Sequence, residues 1–224
     1  MNWKGHVTLG IIMGLPFISS PEQIFLVVAG ALYPDLDHDV KSEIVNRGLY
    51  IAGGFLALLV LSYLFKPAFF NLDYFIAAIL TALIYAVPYY ADHRGLTHTF
   101  IAMILGSLAL GYIILKLSIL SPIIACIIAL IMVTNDKLLA KTISIAVASW
   151  IVFYFLIPPV LNLQGLSHFA VPIFVGYLSH IVGDCVTPMG CKALYPLKRT
   201  LRRPEALIMG VFWLLAVIYV HRFL

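Results

Sequence analysis

The sequence has 224 residues, of which 62% are hydrophobic and 11% are charged, and its mean hydropathy is +1.03. This composition excludes an ordinary soluble domain and is typical of a polytopic α-helical membrane protein. The longest connection between apolar runs extends only from Asp184 to Pro204, which leaves no room for a soluble domain outside the membrane segments. We therefore predict that residues 1–224 form a single integral membrane domain.

Nine apolar runs, bounded by charged residues, Pro or Gly, predict the membrane segments. They are His6–Phe17, Glu22–Leu32, Leu49–Phe65, Tyr74–Tyr90, Thr99–Leu117, Pro122–Val133, Thr142–Ile157, Phe169–Val182 and Ala206–Val220. The first two are shorter than the roughly 17 residues of a comfortable span. Because Pro16 and Pro21 flank their junction, they form either two crossings or one re-entrant hairpin. The predicted fold is an all-α transmembrane bundle with about seven to nine membrane segments.

The first apolar run follows a single Lys4 and leads through Ser19, Ser20 and Pro21 directly into the second run. We therefore expect that no signal peptide is cleaved. The three cysteines are Cys126, Cys185 and Cys191. Their odd number and the lack of a C-x-x-C spacing argue against a disulfide framework or a structural zinc knuckle.

The topology follows from assigning successive connections to alternate sides of the membrane. The side with the N-terminus and Asp35, named the site face, receives eleven of the fourteen basic residues. They are Lys4, Lys41, Arg47, Arg94, Lys137, Lys141, Lys192, Lys198, Arg199, Arg202 and Arg203, and the other three are Lys66, Lys116 and Arg222. By the positive-inside rule, the N-terminus and the site face are predicted to be cytoplasmic.

Basic residues are dense between Lys198 and Arg203. This run indicates either an interfacial anchor for the topology or a surface that gathers anionic lipid headgroups or a phosphorylated substrate. No basic groove with interleaved aromatic residues and no nucleic-acid-binding module is visible, so we expect no nucleic-acid partner.

Three polar clusters interrupt the apolar sequence, and all of them fall on the site face. The first contains His6, Asp35, Asp37, His38 and Asp39; the second runs from Asp92 to Thr99 and contains His93, Arg94 and His98; the third contains Ser179, His180 and Asp184. Ionisable groups in or beside a membrane are costly and usually mark function. We therefore predict that the three clusters meet in one site.

The spacing of these residues suggests their chemistry. His180 and Asp184 are four residues apart, so on a helix they share one face and either bind a cation together or form an ordinary helical pair. Gly95 permits a turn between His93 and His98, and Thr97 is predicted to cap a helix that begins at His98. Arg94 suits an anionic oxygen, and its alternative role is that of an interfacial cation.

The stretch from Pro34 to Asp39 is predicted to be a turn rich in carboxylates, because Pro34 disfavours helix at the residue before it. An EF-hand loop is excluded, since Val40 and Asn46 stand where Gly and Glu are needed. The sequence also lacks the alternation of strands and helices on which an Asp-x-Asp phosphatase depends. Carboxylate and imidazole ligands of a metal ion remain, and the cation would relieve repulsion among the aspartates.

Together these blocks resemble the YdjM-like, LexA-regulated, membrane-bound metal-dependent hydrolases. The resemblance is carried by Pro-Asp-Leu-Asp-His at residue 34, His-Arg-Gly-Leu-Thr-His-Thr at residue 93 and Ser-His-Ile-Val-Gly-Asp-Cys-Val-Thr-Pro at residue 179, with Gly5, His6 and Gly10 before them. It implies an inner-membrane protein whose metal-hydrolase site is carried by His6, Asp35, Asp37, His38, His93, His98, His180 and Asp184.

The leading hypothesis is a hydrolase of a phosphoester or lipid-like substrate that uses one or two divalent ions, Zn or Mn. His6, Asp35, Asp37, His93, His98, His180 and Asp184 are the candidate ligands; Asp37 or His38 is the candidate base, and Arg94 the candidate stabiliser of the developing oxyanion. Membrane lipid is the expected partner, and the oligomeric state is left undetermined. The alternatives are a metal or proton transporter and a non-catalytic protein with a structural metal. Residues 187–196 are predicted to form a lid or rim beside the site.

Overall fold

The computed structural model describes residues 1–38, 41–119, 121–156 and 163–223. These residues form nine α-helices and a short antiparallel pairing of Cys191 with Leu201. The helices are α1 (Trp3–Gly14), α2 (Gln23–Leu32), α3 (Lys41–Phe65), α4 (Leu72–Tyr90), α5 (Phe100–Leu117), α6 (Pro122–Val133), α7 (Asp136–Leu156), α8 (Gly165–Val186) and α9 (Arg203–Phe223). The predicted all-α bundle is confirmed.

Each helix coincides with one of the nine apolar runs, and α6 has the predicted bounds. Several other helices begin earlier, because a helix that leaves the hydrocarbon can continue where charged side chains reach water. Thus α3 begins at Lys41 instead of Leu49, and α7 begins at Asp136 instead of Thr142. The two extensions are joined by Arg47, whose Nη1 donates to both carboxylate oxygens of Asp136 at 2.8 and 2.9 Å.

Six helices, α3, α4, α5, α7, α8 and α9, are long and apolar enough to cross a membrane. The apolar stretch of α8 is 78% buried, whereas those of α3 and α9 are 11% buried. α8 is therefore the central helix, and the apolar side chains that α3 and α9 expose suit contact with lipid. The protein is an integral membrane protein.

α8 packs closely against α2, all of whose residues are buried. A side-chain carbon added at Gly30 would lie 2.1 Å from the carbonyl oxygen of Ile173, and one added at Gly176 would lie 2.1 Å from that of Val27. Small residues allow this close approach of helix backbones, which is a common means of association within membranes. The contact brings together the ends of α2 and α8 that lead into the polar clusters.

α1 and α2 form a hairpin with both open ends at the site face. Its tip is held by the buried Gln23, which accepts from the backbone N–H of Ser19 at 2.6 Å and donates to the carbonyl oxygen of His168 at 2.6 Å. His168 lies in the first turn of α8, so the hairpin extends along most of the central helix. Irregular backbone at membrane depth is tolerated where protein groups satisfy it, as Gln23 does here.

Candidate metal centre

The three polar clusters meet at one end of the central helix. Their residues lie in the first turns of α1, in the 3₁₀ turns Tyr33–Asp37 and Leu96–His98, and in the last turns of α8. The structure brings together His6, Asp35, Asp37, His93, His98, His180 and Asp184, with His38 and Arg94 at the border of the group. Asp39, the remaining carboxylate of the first cluster, lies outside the described residues.

Two local features shape this end of the protein. α2 ends at Leu32, and Pro34 lies in the 3₁₀ turn that follows, as its position predicted. The second feature is a tight turn in which the N–H of Gly95 donates to the carbonyl oxygen of Asp92 at 2.8 Å. Arg94, within that turn, has a left-handed φ of 60°. Non-glycine residues rarely adopt this conformation, and such strain often accompanies functional sites.

His98, His180 and Asp184 place three potential donor atoms close together. The Nε2 atoms of His98 and His180 lie 3.2 Å apart. The Oδ2 atom of Asp184 lies 3.4 Å from Nε2 of His98 and 3.6 Å from Nε2 of His180. All three residues are at most 2% exposed. Lone pairs held this close away from water need a cation or a proton between them.

The other ring nitrogens fix the orientation of both imidazoles. Nδ1 of His180 lies 2.7 Å from the carbonyl oxygen of Ala31, which can only accept, so Nδ1 is a donor and, in the neutral ring, Nε2 presents a lone pair. Nδ1 of His98 lies 3.3 Å from Oδ2 of Asp37, which assigns the same tautomer. Burial lowers the pKa of His98, although its hydrogen bond with Asp37 opposes this shift. His98 is therefore neutral at pH 7, the form that binds metal ions.

Asp35 extends this donor group toward solvent. Its Oδ1 atom lies 3.6 Å from Nε2 of His180 and 3.9 Å from Nε2 of His98. Among the described residues, three overlapping groups have one donor atom from each member within 4.8 Å of one another. They are His98, His180 and Asp184; Asp35, His93 and His98; and His6, Asp35 and His180. Asp35 is thus shared by two of the three groups.

His6 enters the group by stacking on His180. Their ring centroids are 3.8 Å apart and their planes differ by 11°. Nε2 of His6 lies 3.6 Å from Oδ1 of Asp184, while its buried Nδ1 has no hydrogen-bond partner among the described residues. A side-chain carbon at Gly183 would lie 3.3 Å from that Nδ1, so glycine permits the close approach of α1 to α8.

Asp37 lies behind His98 and belongs to none of the three donor groups formed by the described residues. It accepts a hydrogen bond from Oγ1 of Thr97, and Nδ1 of His93 lies 2.8 Å from its Oδ1. Burial raises the pKa of Asp37, but hydrogen bonds with His98, His93 and Thr97 outweigh this effect and hold the pKa below its ordinary value. The ionised carboxylate of Asp37 thus lies behind the imidazoles of His93 and His98.

Thr97 does not have the predicted role. The helix predicted from His98 begins at Phe100, and its N-cap is Thr99, whose Oγ1 accepts from the N–H of Ala102 at 3.0 Å. Thr97 instead bonds to Asp37 and is completely buried. The prediction was wrong because both threonines have the chemistry of an N-cap, and only the tertiary contact with Asp37 distinguishes them.

Arg94 is held by contacts on two sides. Its Nη2 donates to Oδ1 of Asp184 at 3.1 Å, and its Nη1 donates to Oγ1 of Thr187 at 3.3 Å and to the carbonyl oxygen of Gly190 at 3.2 Å. Among the described residues these contacts engage three of the five guanidinium N–H donors. The remaining donors can bind an anion.

A cavity of about 460 Å³ opens beside the donor group. Its polar lining includes Asp35, His38, His93, Arg94, Asn135 and Asp184, and its apolar lining includes Trp3, Leu32, Leu36, Ile44, Val133 and Leu138. The exposed ring of His38 packs edge-on against that of His93, with centroids 4.9 Å apart. A ligand in the cavity would therefore contact imidazoles, carboxylates and a guanidinium together.

Four polar cavity groups are absent from the sequence prediction. The amino nitrogen of Met1 lies 3.3 Å from Oδ1 of Asp184, Asn2 also lines the cavity, and Thr134 and Asn135 line it from the α6–α7 connection. The polar pair between two apolar runs is a signal that could have identified Thr134 and Asn135. No sequence pattern marks a terminal amine for this position.

Residues 187–196 support the site from the side. Besides the contacts of Arg94, the N–H of Phe100 donates to the carbonyl oxygen of Ala193 at 3.0 Å, and Sγ of Cys191 lies 3.4 Å from the carbonyl oxygen of His98. None of these residues lines the cavity, so the segment packs against the 92–98 turn and supports it from outside the cavity.

Cys126, Cys185 and Cys191 are buried free thiols.

The model of the YdjM inner membrane protein family matches residues 1–223. The match includes all four segments that supply the donor group. Comparison with the curated proteins and with the solved structures gives no match. Because the family match extends over nearly the entire sequence, the chain belongs to the YdjM inner membrane protein family.

Proposed function

We propose that the protein is a membrane-embedded, metal-dependent hydrolase that acts on a phosphoester at the cytoplasmic face. The proposal rests above all on the distances among Nε2 of His98, Nε2 of His180 and Oδ2 of Asp184. Ligands of a tetrahedral zinc ion, with bonds of about 2.0–2.2 Å, lie about 3.3–3.6 Å from one another. Of the observed separations, 3.4 and 3.6 Å fall in this range and 3.2 Å lies just below it.

The surroundings of these donors support the same proposal. Metal-binding histidines usually donate their other ring N–H to a carbonyl or carboxylate, which fixes the ring and raises its basicity. His180 has such a partner in Ala31, and His98 has one in Asp37. Asp37 is in this proposal a positioning residue behind His98, which differs from the ligand and base roles expected from sequence.

His98, His180 and Asp184 would hold one ion, and Asp35 is placed to be a fourth ligand. The nitrogen and oxygen donors suit zinc or manganese. His6 and His93 lie in the overlapping donor groups and would serve a second ion or support the first. A divalent ion held there supplies Lewis acidity and lowers the pKa of a water molecule that it coordinates.

The residues at the cavity have separate roles in this proposal. Arg94 has donors available for an anionic oxygen and is kept in place by Thr187 and Gly190. His38 and His93 line the cavity, where an imidazole can take up or release a proton next to a bound substrate. The orientation of the site toward the cytoplasm rests on the distribution of Lys and Arg.

Metal content and turnover test the proposal. The protein, purified in detergent and loaded with zinc or manganese, is assayed for bound metal and for hydrolysis of a soluble phosphomonoester and phosphodiester. His98→Ala and His180→Ala should each lose metal and turnover. His168→Ala is a matched control, because His168 lies at the opposite end of α8 and bonds to Ser19, and it should retain both.

Three results would overturn the proposal in different ways. Full metal stoichiometry in the His98→Ala, His180→Ala double variant would remove the metal site. Metal-dependent ion flux in proteoliposomes, without hydrolysis of any phosphoester, would favour a transporter instead. Tightly bound metal with neither flux nor turnover would indicate a structural site.

A further inference from the structure

We infer that the substrate is the phosphate ester of a membrane lipid, with its phosphate at the donor group and the first part of its apolar chain against the apolar side chains that line the same cavity. This inference rests on the proposed function and specifies its substrate class. It is carried by the lining of the 460 Å³ cavity, which combines charged and apolar side chains. The apolar wall consists of Leu32, Leu36, Ile44, Val133 and Leu138.

The charged side chains determine which end of the cavity would bind the phosphate of the substrate. Arg94 contributes N–H donors that match phosphate oxygens in pairs, and it contacts Asp184 directly. Asp35 and Asp184 are anionic and would repel a phosphate by themselves. A divalent cation between them would neutralise these two negative charges, and Arg94 adds a positive charge beside them, so the phosphate is expected at the same end of the cavity as the ion.

The apolar wall continues toward the lipid. Ile44 is 5% exposed and lines the cavity, whereas Ile51, two turns further along the same face of α3, is 64% exposed. Trp3 also lines the cavity, with the Nζ atom of Lys4 5.9 Å from its ring centre. Trp and Lys are typical of the membrane interface. The cavity therefore lies where a lipid can place its phosphate in the site while its chain stays in the bilayer.

The size of the cavity fits part of a lipid. Small-molecule sites usually measure about 300–1,000 Å³ and bury most of their ligand. A volume of about 460 Å³ lies in the lower half of that range, which is enough for a phosphate group and the beginning of one chain. The rest of the chain must leave the cavity, and an apolar chain that leaves it remains favourable only if it enters the bilayer.

The reaction on such a substrate is a simple hydrolysis. The oxygen of a water molecule forms a bond to phosphorus as the bond from phosphorus to the lipid oxygen breaks. One proton of the water passes to that lipid oxygen, so a lipid phosphomonoester yields inorganic phosphate and a lipid alcohol. No oxidant, reductant or further co-reactant is needed.

Photolabelling tests the position of the chain independently of turnover. Zinc-loaded protein in detergent is incubated with phosphatidic acid that carries a diazirine near the ester end of one acyl chain, or with diacylglycerol carrying the same chain. After irradiation, labelled peptides are identified by mass spectrometry. Phosphatidic acid should label the α6–α7 peptide around Leu138 about tenfold more than diacylglycerol does, because only the phosphate gains charge-assisted contacts.

Leu138→Trp fills the apolar end of the cavity and should reduce this labelling about tenfold. Leu139→Trp is the matched control, since Leu139 is also half-buried on α7 but does not line the cavity, and its labelling should equal that of the wild type. Equal labelling by the two lipids, or labelling that Leu138→Trp leaves unchanged, would overturn the inference. Phosphatidic acid that labels this wall but is not hydrolysed in the same samples would overturn the hydrolase proposal alone.

Discussion

The position of Asp37 behind His98 gives the most specific prediction for this site. Its side chain is completely buried, and its two oxygens face different partners, Oδ1 facing His93 and Oδ2 facing His98 and Thr97. Asp37→Asn can keep an oxygen toward His98 and Thr97 while its NH₂ group faces His93. This substitution therefore removes mainly the negative charge. Asp37→Ala removes the acceptor as well.

The two substitutions should have graded effects on metal affinity. Changes to the outer partners of metal-binding histidines typically reduce affinity about 10- to 100-fold, or about 1.4–2.7 kcal/mol. We expect Asp37→Asn to lie near the lower value, because His98 keeps its acceptor, and Asp37→Ala near the upper value, because His98 can then shift its proton to Nε2. Asp37→Ala also removes the acceptor of the buried Thr97 hydroxyl, and a buried donor without a partner costs about 1–3 kcal/mol of stability.

Competition with a chromophoric zinc chelator measures the affinity, and thermal unfolding of the metal-free variants shows whether each remains folded. Asp136→Asn is the control, because Asp136 is an exposed partner of Arg47, and such surface pairs contribute little. Zinc affinities of both Asp37 variants within about twofold of the wild type, in folded protein, would refute the positioning role. Equal large losses for Asn and Ala would show that the charge alone matters.

Three further predictions concern packing, anion binding and the metal. Gly30→Ala places a carbon 2.1 Å from the carbonyl oxygen of Ile173 and should lower the Tm by an amount that corresponds to about 1–3 kcal/mol or more. Gly53→Ala is the control, because its added carbon meets no atom within 4 Å, and it should leave the Tm unchanged or raise it. Equal Tm values for the two variants would contradict the α2–α8 contact. Arg94→Lys should lower kcat about 100-fold at unchanged metal content, and a wild-type kcat would exclude Arg94 from the reaction. Zinc at about 100 times its Kd should stabilise the wild type by about 2.7 kcal/mol, and this gain in thermal unfolding should disappear on chelation and in His98→Ala but persist in His168→Ala.

Hydropathy alone predicted the helices of this protein, because the membrane restricts the solutions open to the chain. Backbone polar groups must be paired within a segment, so each long apolar run becomes a helix. The same alternation of segments assigned the three polar clusters to one face, and Pro34 marked the end of α2. The cytoplasmic orientation and the single integral domain stay predictions.

The tertiary structure decided which donors share a point and which stand behind them. Asp35 and Asp37 are two residues apart and chemically identical, yet one faces the cavity and the other is enclosed by His93, Thr97 and His98. That difference depends on the register and rotation of α2 against α8, which the backbone contacts at Gly30 and Gly176 set. Sequence spacing determines which side chains share a helix face, but distances between helices depend on how closely their backbones pack, and no local pattern contains that information.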